Sequence, residues 1–187
     1  MSRFWYFASF LIILSCGVST QDSSNEERSG EQLLEHIEGL EEELFNTMAS
    51  PDDSIAHELI RSYERFAEQD PGHEMAPEFL FRAANVARSF KEYDQALAFY
   101  QRILKNHGSY QNKIETEFLI AFMYDNDFKD KEKARAEYER ISETYPDHIF
   151  GIQAAQRLEH IDLTDEELIE LFERRREEAS TDSSAGL

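Results

Sequence analysis

The sequence predicts an all-α fold: a solenoid of helical hairpins, about three repeats long, closed by a C-terminal capping helix. Three observations carry that prediction. From Glu31 onward, apolar residues recur at steps of three and four. Gly (7) and Pro (4) are too few for an all-β fold built on tight turns. A stretch of the chain aligns with a later one without a gap, at an offset of 38 from Ala96 to Ala134.

Each element follows from spacing and punctuation. Leu33, Ile37, Leu40, Leu44 and Met48 form one stripe, and "SPDD" from Ser50 to Asp53 ends that helix and caps the next. Ile55, Leu59, Tyr63 and Phe66 form a second stripe, ended near Pro71 and Gly72. Further helices are predicted at about Ala76–Ser89, Tyr93–Asn106, Lys113–Asn126, Lys131–Thr144 and Ile149–His160. The last spans about Asp165–Glu178, and Thr164 with Glu167 forms the capping-box pair at its start. Its Leu168, Leu171 and Phe172 share a face and are expected to cap the array, as a helix over 161–179. "TDSSAGL" after it, within 180–187, reads as a disordered tail.

"FKEYDQALAFYQRILKNHGSY" (Phe90 to Tyr110) and "FKDKEKARAEYERISETYPDH" (Phe128 to His148) are the aligned pair, and "IRSYERFAEQDP" repeats their second half. Leu80, Ala83, Ala84, Ala96 and Tyr100 in one copy, and Ala121, Tyr124, Ala134, Tyr138 and Pro146 in the next, resemble the tetratricopeptide repeat. Small residues let helix axes approach, and aromatic rings fill the gaps between hairpins. Departures are Ala87 at a usually aromatic place and Gly108 where Pro is usual. Tyr124 needs one extra residue in the turn before Ala134, so the excess over a 34-residue unit divides between that turn and the inter-repeat loop. The likeness covers residues 31–160. It implies that first helices of hairpins line a concave groove, with Phe81, Asn85, Arg88, Phe118, Phe122 and Asn126 facing a peptide or protein partner. Asn amides can both donate to and accept from a peptide backbone.

The N-terminus reads separately. Arg3 precedes an apolar run from Phe4 to Leu14, too short for the ~20 residues of a membrane span and of signal-peptide length. "ILSC", ending in the single cysteine Cys16, resembles a bacterial lipobox. That resemblance implies cleavage after a 1–15 signal peptide and lipid on Cys16, whose acyl chains at ~0.8 kcal/mol per buried CH₂ make a lasting anchor. Residues 16–30 are Ser-rich and polar, a tether of roughly 20 Å on average. Together with the "YP" repeat end, the lipobox resembles envelope proteins related to the assembly factor BamD and the Tol–Pal coordinator CpoB (YbgF), and tetratricopeptide lipoproteins of Bacteroidota. This implies an address in the bacterial envelope, at the outer membrane facing the periplasm.

A formal net charge of −20 repels phosphate backbones, which excludes nucleic acid as the expected partner. The six His residues show no metal-ligand spacing. "DNDFKD" (Asp125 to Asp130) resembles the start of a calcium loop, but it lacks Gly at the sixth place and has Ala136 where a Glu belongs. GxSxG, GxGxxG and P-loop patterns are absent. The expectation is a non-enzyme with no cofactor, no metal and no small-molecule substrate: an interaction scaffold in outer-membrane or cell-wall assembly. The alternative is a regulatory subunit of an envelope enzyme such as a peptidoglycan hydrolase or synthase.

Overall fold

A computed structural model describes residues 30–46 and 53–185. Cys16 and the rest of the predicted signal and tether up to residue 29, Met48 and the Ser50–Asp53 break within 47–52, and Gly186 and Leu187 lie outside the described residues. Eight α-helices follow one another: α1 (Gly30–Asn46), α2 (Asp53–Gln69), α3 (Ala76–Ser89), α4 (Tyr93–Asn106), α5 (Lys113–Asn126), α6 (Lys131–Thr144), α7 (Ile149–Leu158) and α8 (Asp165–Ala185). Each of α1 to α6 packs against the next, as sequential hairpins do, and α7 packs on both α6 and α5.

The stripes read from the sequence are the buried faces. Leu33, Ile37, Leu40 and Leu44 of α1 meet Leu59, Ile60, Tyr63 and Phe66 of α2 in a core that runs through α3 and α4 to Met123 of α5. A second cluster joins Phe118 and Ala121 of α5 to Tyr138 and Ile141 of α6 and Ala154 of α7. Ala83, Ala84, Ala96, Ala121 and Ala134 are fully buried, which is where small side chains let helix axes close up.

The helices place the extra residues of the repeat. α5 begins and ends 37 positions after α3, whereas α6 begins and ends 38 after α4. One residue is therefore added in the turn, which spans 90–92 in the first hairpin and 127–130 in the second. Both turns reverse through a left-handed lysine, Lys91 (φ 64°) and Lys129 (φ 57°). Such a conformation is uncommon for a side chain with a Cβ.

The connection between hairpins also differs. Residues 107–112 join α4 to α5, but only 145–148 join α6 to α7. The shorter loop draws α7 onto the end of α6, and a Cβ added at Gly151 would overlap the Tyr145 carbonyl oxygen. Only glycine lets the backbones come this close.

At the C-terminus the helix bounds differ from those expected. α7 stops at Leu158, and Ile161 in the following turn is buried among Phe118, Tyr138 and Ala154. α8 starts at the expected capping box, with Thr164 N–H donating to Glu167 Oε2 (2.8 Å) and Glu167 N–H donating to Thr164 Oγ1 (3.2 Å). It then runs to Ala185, through most of the segment read as a tail, because no Gly or Pro interrupts it before Gly186. No other helix packs along it, and Ile169 and Phe172 are 58% and 53% exposed.

Candidate functional site

The first helices of successive hairpins, α3, α5 and α7, carry the candidate groove. At its centre is the half-buried ring of Phe122 on α5. The Arg88 guanidinium of α3 lies 4.8 Å from the ring centroid and that of Arg157 on α7 lies 4.9 Å from it. Cation–ring contacts of this kind contribute about 0.5–2 kcal/mol each, more as water is excluded.

Both guanidiniums are held by carboxylates from the end of α5. Arg88 Nε donates to Asp127 Oδ2 at 2.5 Å and its Nη2 to Oδ1 at 3.5 Å, a forked pair that fixes the plane of the cation. Asp125, nearly buried, accepts from Lys131 Nζ at 2.8 Å and lies 4.0 Å from Arg157 Nη1. Arg88, Arg157 and Lys131 thus share two carboxylates beside the ring, three cations to two anions in a chain of net charge −20. The three carboxylates of "DNDFKD" all have protein partners: Asp130 accepts from the Lys133 N–H at the start of α6 (3.1 Å) and pairs with Lys133 Nζ (2.9 Å).

One turn earlier on α3, Asn85 Oδ1 accepts from the Tyr100 hydroxyl at 2.7 Å. Burial pushes that phenol well above the usual range, so it stays a donor. Phe81 packs edge-on to Tyr100 (5.7 Å) and beside Tyr110 (6.1 Å). Tyr110 in turn donates to Glu78 Oε2 at 2.8 Å. An open pocket of about 290 Å³ lies between the two parts, lined by Asn85, Arg88, Ser89, Tyr93 and Asp127. That is room for a side chain, below the ~300–1,000 Å³ of small-molecule clefts.

Of the six predicted groove residues, the structure brings Arg88 and Phe122 together and places Phe81 and Asn85 beside Tyr100. Phe118 is a correction. It is 7% exposed, with its ring 5.7 Å from Tyr138 and 5.3 Å from Phe150, because the start of α7 covers this turn of α5. Asn126 is a second. α5 repeats α3 at 37, so the counterpart of Arg88 is Asp125 and not Asn126. Asn126 instead spends its Nδ2 on the Phe122 carbonyl of its own helix, at 3.1 Å.

Arg157 and the carboxylates at 125 and 127 were not singled out from the sequence as groove residues. Arg157 has no repeat partner to flag it, and only the closeness of α7 to α5 reveals it. The histidines serve the scaffold: His36 pairs with Glu58 (3.0 Å), His148 Nδ1 accepts from the Phe150 N–H (3.3 Å), and His73 packs edge-on to Phe66 (5.1 Å). Among the described residues, no group of three or more His, Cys, Asp or Glu is arranged to hold a metal ion. The strongly raised phenols of Tyr63, Tyr100 and Tyr138 owe their shift first to burial, which serves packing and not proton transfer.

Residues 78–109 and 115–148 match the tetratricopeptide repeat family, and these two segments correspond to the α3–α4 and α5–α6 hairpins. No curated protein and no solved structure matches the chain.

Proposed function

We propose that this chain, which carries two tetratricopeptide repeats, is a non-catalytic interaction scaffold whose working surface is the α3–α5–α7 face. The observation that carries this reading is the Phe122 ring with Arg88 and Arg157 against it. A half-buried aromatic ring beside oriented guanidinium groups suits a peptide that brings one apolar side chain and backbone or side-chain carbonyl acceptors. The pocket beside Arg88 accepts the neighbouring side chain. The excess of positive charge at this spot favours an acidic or neutral segment over a basic one.

The finer reading is that the scaffold works in the bacterial envelope, lipidated at Cys16 and held at the outer membrane on the periplasmic side. Its support is the "ILSC" motif after an apolar run, the polar stretch that follows, and the absence of any second cysteine.

Two experiments test these readings apart. A photocrosslinking residue at position 122 of the full chain, expressed in a bacterium, is expected to give one discrete adduct. Arg88→Glu with Arg157→Glu should abolish it, and the same probe at Glu139 on α6 should give none. Equal labelling from both positions removes the groove from consideration. Intact mass of the full chain against Cys16→Ala reads the anchor: a chain beginning at Cys16 with added acyl mass is expected, and an unlipidated wild-type chain rules the anchor out.

A further inference from the structure

Away from the groove, α7 and α8 each leave an apolar face open. On α7, Gly151 and Ala154 turn into the core while Ile149 and Ile152, three residues apart, are 56% and 44% exposed. On α8, Ile169 and Phe172, also three apart, are 58% and 53% exposed, beside the half-buried Leu168 and Leu171. These are the four large apolar side chains left exposed among the described residues.

The cause lies in the connection. α3 and α5 are each followed, after a turn of three or four residues, by a helix packed along them. After α7 the chain instead runs through 159–164, and Ile161 (2% exposed) plugs the end of the second core. This anchor sends α8 away from α7. A ring contact joins Phe172 to His160 of this connection, at 6.3 Å. The α7 face stays open in its own chain.

The two helices differ in charge. α7 contains no Asp or Glu and one basic residue, Arg157, and every other described helix carries acids. The first half of α8 carries Asp165, Glu166, Glu167, Glu170 and Glu173 against Arg174 and Arg175, so it is acidic on balance. In a chain this acidic, an acid-free helix is the surface on which α8 meets least repulsion.

We propose that α8 of one copy docks on the α7 face of a second copy, and the reverse, giving a two-fold dimer. One symmetric exchange covers both α7 faces and both α8 faces, as an isologous interface requires. It supplies each array with the second helix that its own chain directs elsewhere. The inference rests on the exposed α7 and α8 side chains and not on the Phe122 ring, so it stands apart from the proposed function.

The single natural cysteine makes the test direct. Two tagged full-length chains, one Ile152→Cys and the other Ile169→Cys, are co-expressed and treated with a short thiol–thiol crosslinker. The expected product has twice the chain mass and carries both tags. It is lost when Ile149→Glu is added to the first chain or Phe172→Glu to the second, while helical content by circular dichroism is unchanged. A chain carrying both Ile152→Cys and Ile169→Cys should also crosslink between copies. Crosslinking only within one chain would mean that α8 folds back on its own α7 and would overturn the proposal. So would crosslinking between two Ile169→Cys chains alone, or no product above that of an Ala98→Cys control.

Discussion

The two matched repeats fill corresponding places with different chemistry. Phe81, Asn85 and Arg88 on α3 stand 37 residues before Phe118, Phe122 and Asp125 on α5. In the first repeat the Tyr100 hydroxyl has Asn85 as its acceptor. In the second the amide is replaced by the Phe122 ring, and the hydroxyl of Tyr138, the counterpart of Tyr100, is buried without a hydrogen-bond partner among the described residues. The first repeat uses the position for its own satisfaction. The second gives it up and gains a ring on which two arginines rest. An unsatisfied buried hydroxyl is a cost, and here it accompanies the side chain best placed to bind.

The largest expected effect separates the two phenylalanines. Phe118→Ala should cost about 3–5 kcal/mol, as for a fully buried ring, and Phe81→Ala about 1–2 kcal/mol, as for one half in water. Urea denaturation of the two variants measures the gap, and equal losses would erase the distinction between a core ring and a groove ring. The two connecting loops come next. Gly151→Ala should cost about 3 kcal/mol, by overpacking against the Tyr145 carbonyl. Gly108→Ala, which meets nothing within 4 Å, should change stability by about 0.5 kcal/mol or less. Thermal melts of both report whether the short loop is the cause.

The tyrosine pair sharpens the comparison through its sign. Tyr100→Phe should lose about 1 kcal/mol with its hydrogen bond, while Tyr138→Phe should be neutral or stabilising by up to about 1 kcal/mol. A matched loss at both positions would show that Tyr138 finds a partner in solution.

The smallest effect concerns the residues just before α4 and α6. Asp130 caps its own helix, but its counterpart Glu92 accepts from His57 Nε2 of α2 at 2.5 Å. The other ring nitrogen of His57 faces the Asp53 carbonyl, so both nitrogens face acceptors, an arrangement that favours the protonated ring. The Asp53 carbonyl first, and Glu92 second, raise its pKa above the ordinary 6.5. The imidazolium therefore adds stability that is complete below pH 6.5 and fades as pH rises through the raised value. Melting temperatures of wild type and His57→Gln should differ most in mild acid and converge in mild alkali. A constant difference would remove the ion pair from the account.

What was legible in the sequence follows from periodicity. The helices, their order, the tetratricopeptide likeness of the last two repeats and the extra turn residue are local properties, set by apolar spacing and by punctuation such as Pro71, Gly72 and the Thr164–Glu167 box. Groove residues were legible only in part. A repeat register says that Phe81 and Phe118 are equivalent, but it is blind to Phe150 covering one of them. One step of error also turned Asp125 into Asn126.

By itself, then, the sequence determined an all-α hairpin array with a locally coded repeat, because a helix needs only its own spacing and caps to be recognised. Only the tertiary structure decided that Arg157 reaches Phe122, that Gly151 must lack a side chain, and that Ile169 and Phe172 of α8 stay exposed. Each of these depends on the length of one loop or the burial of one residue, Ile161, between helices. Such contacts are fixed by how packed bodies fill space, and the pattern within any one helix does not contain them.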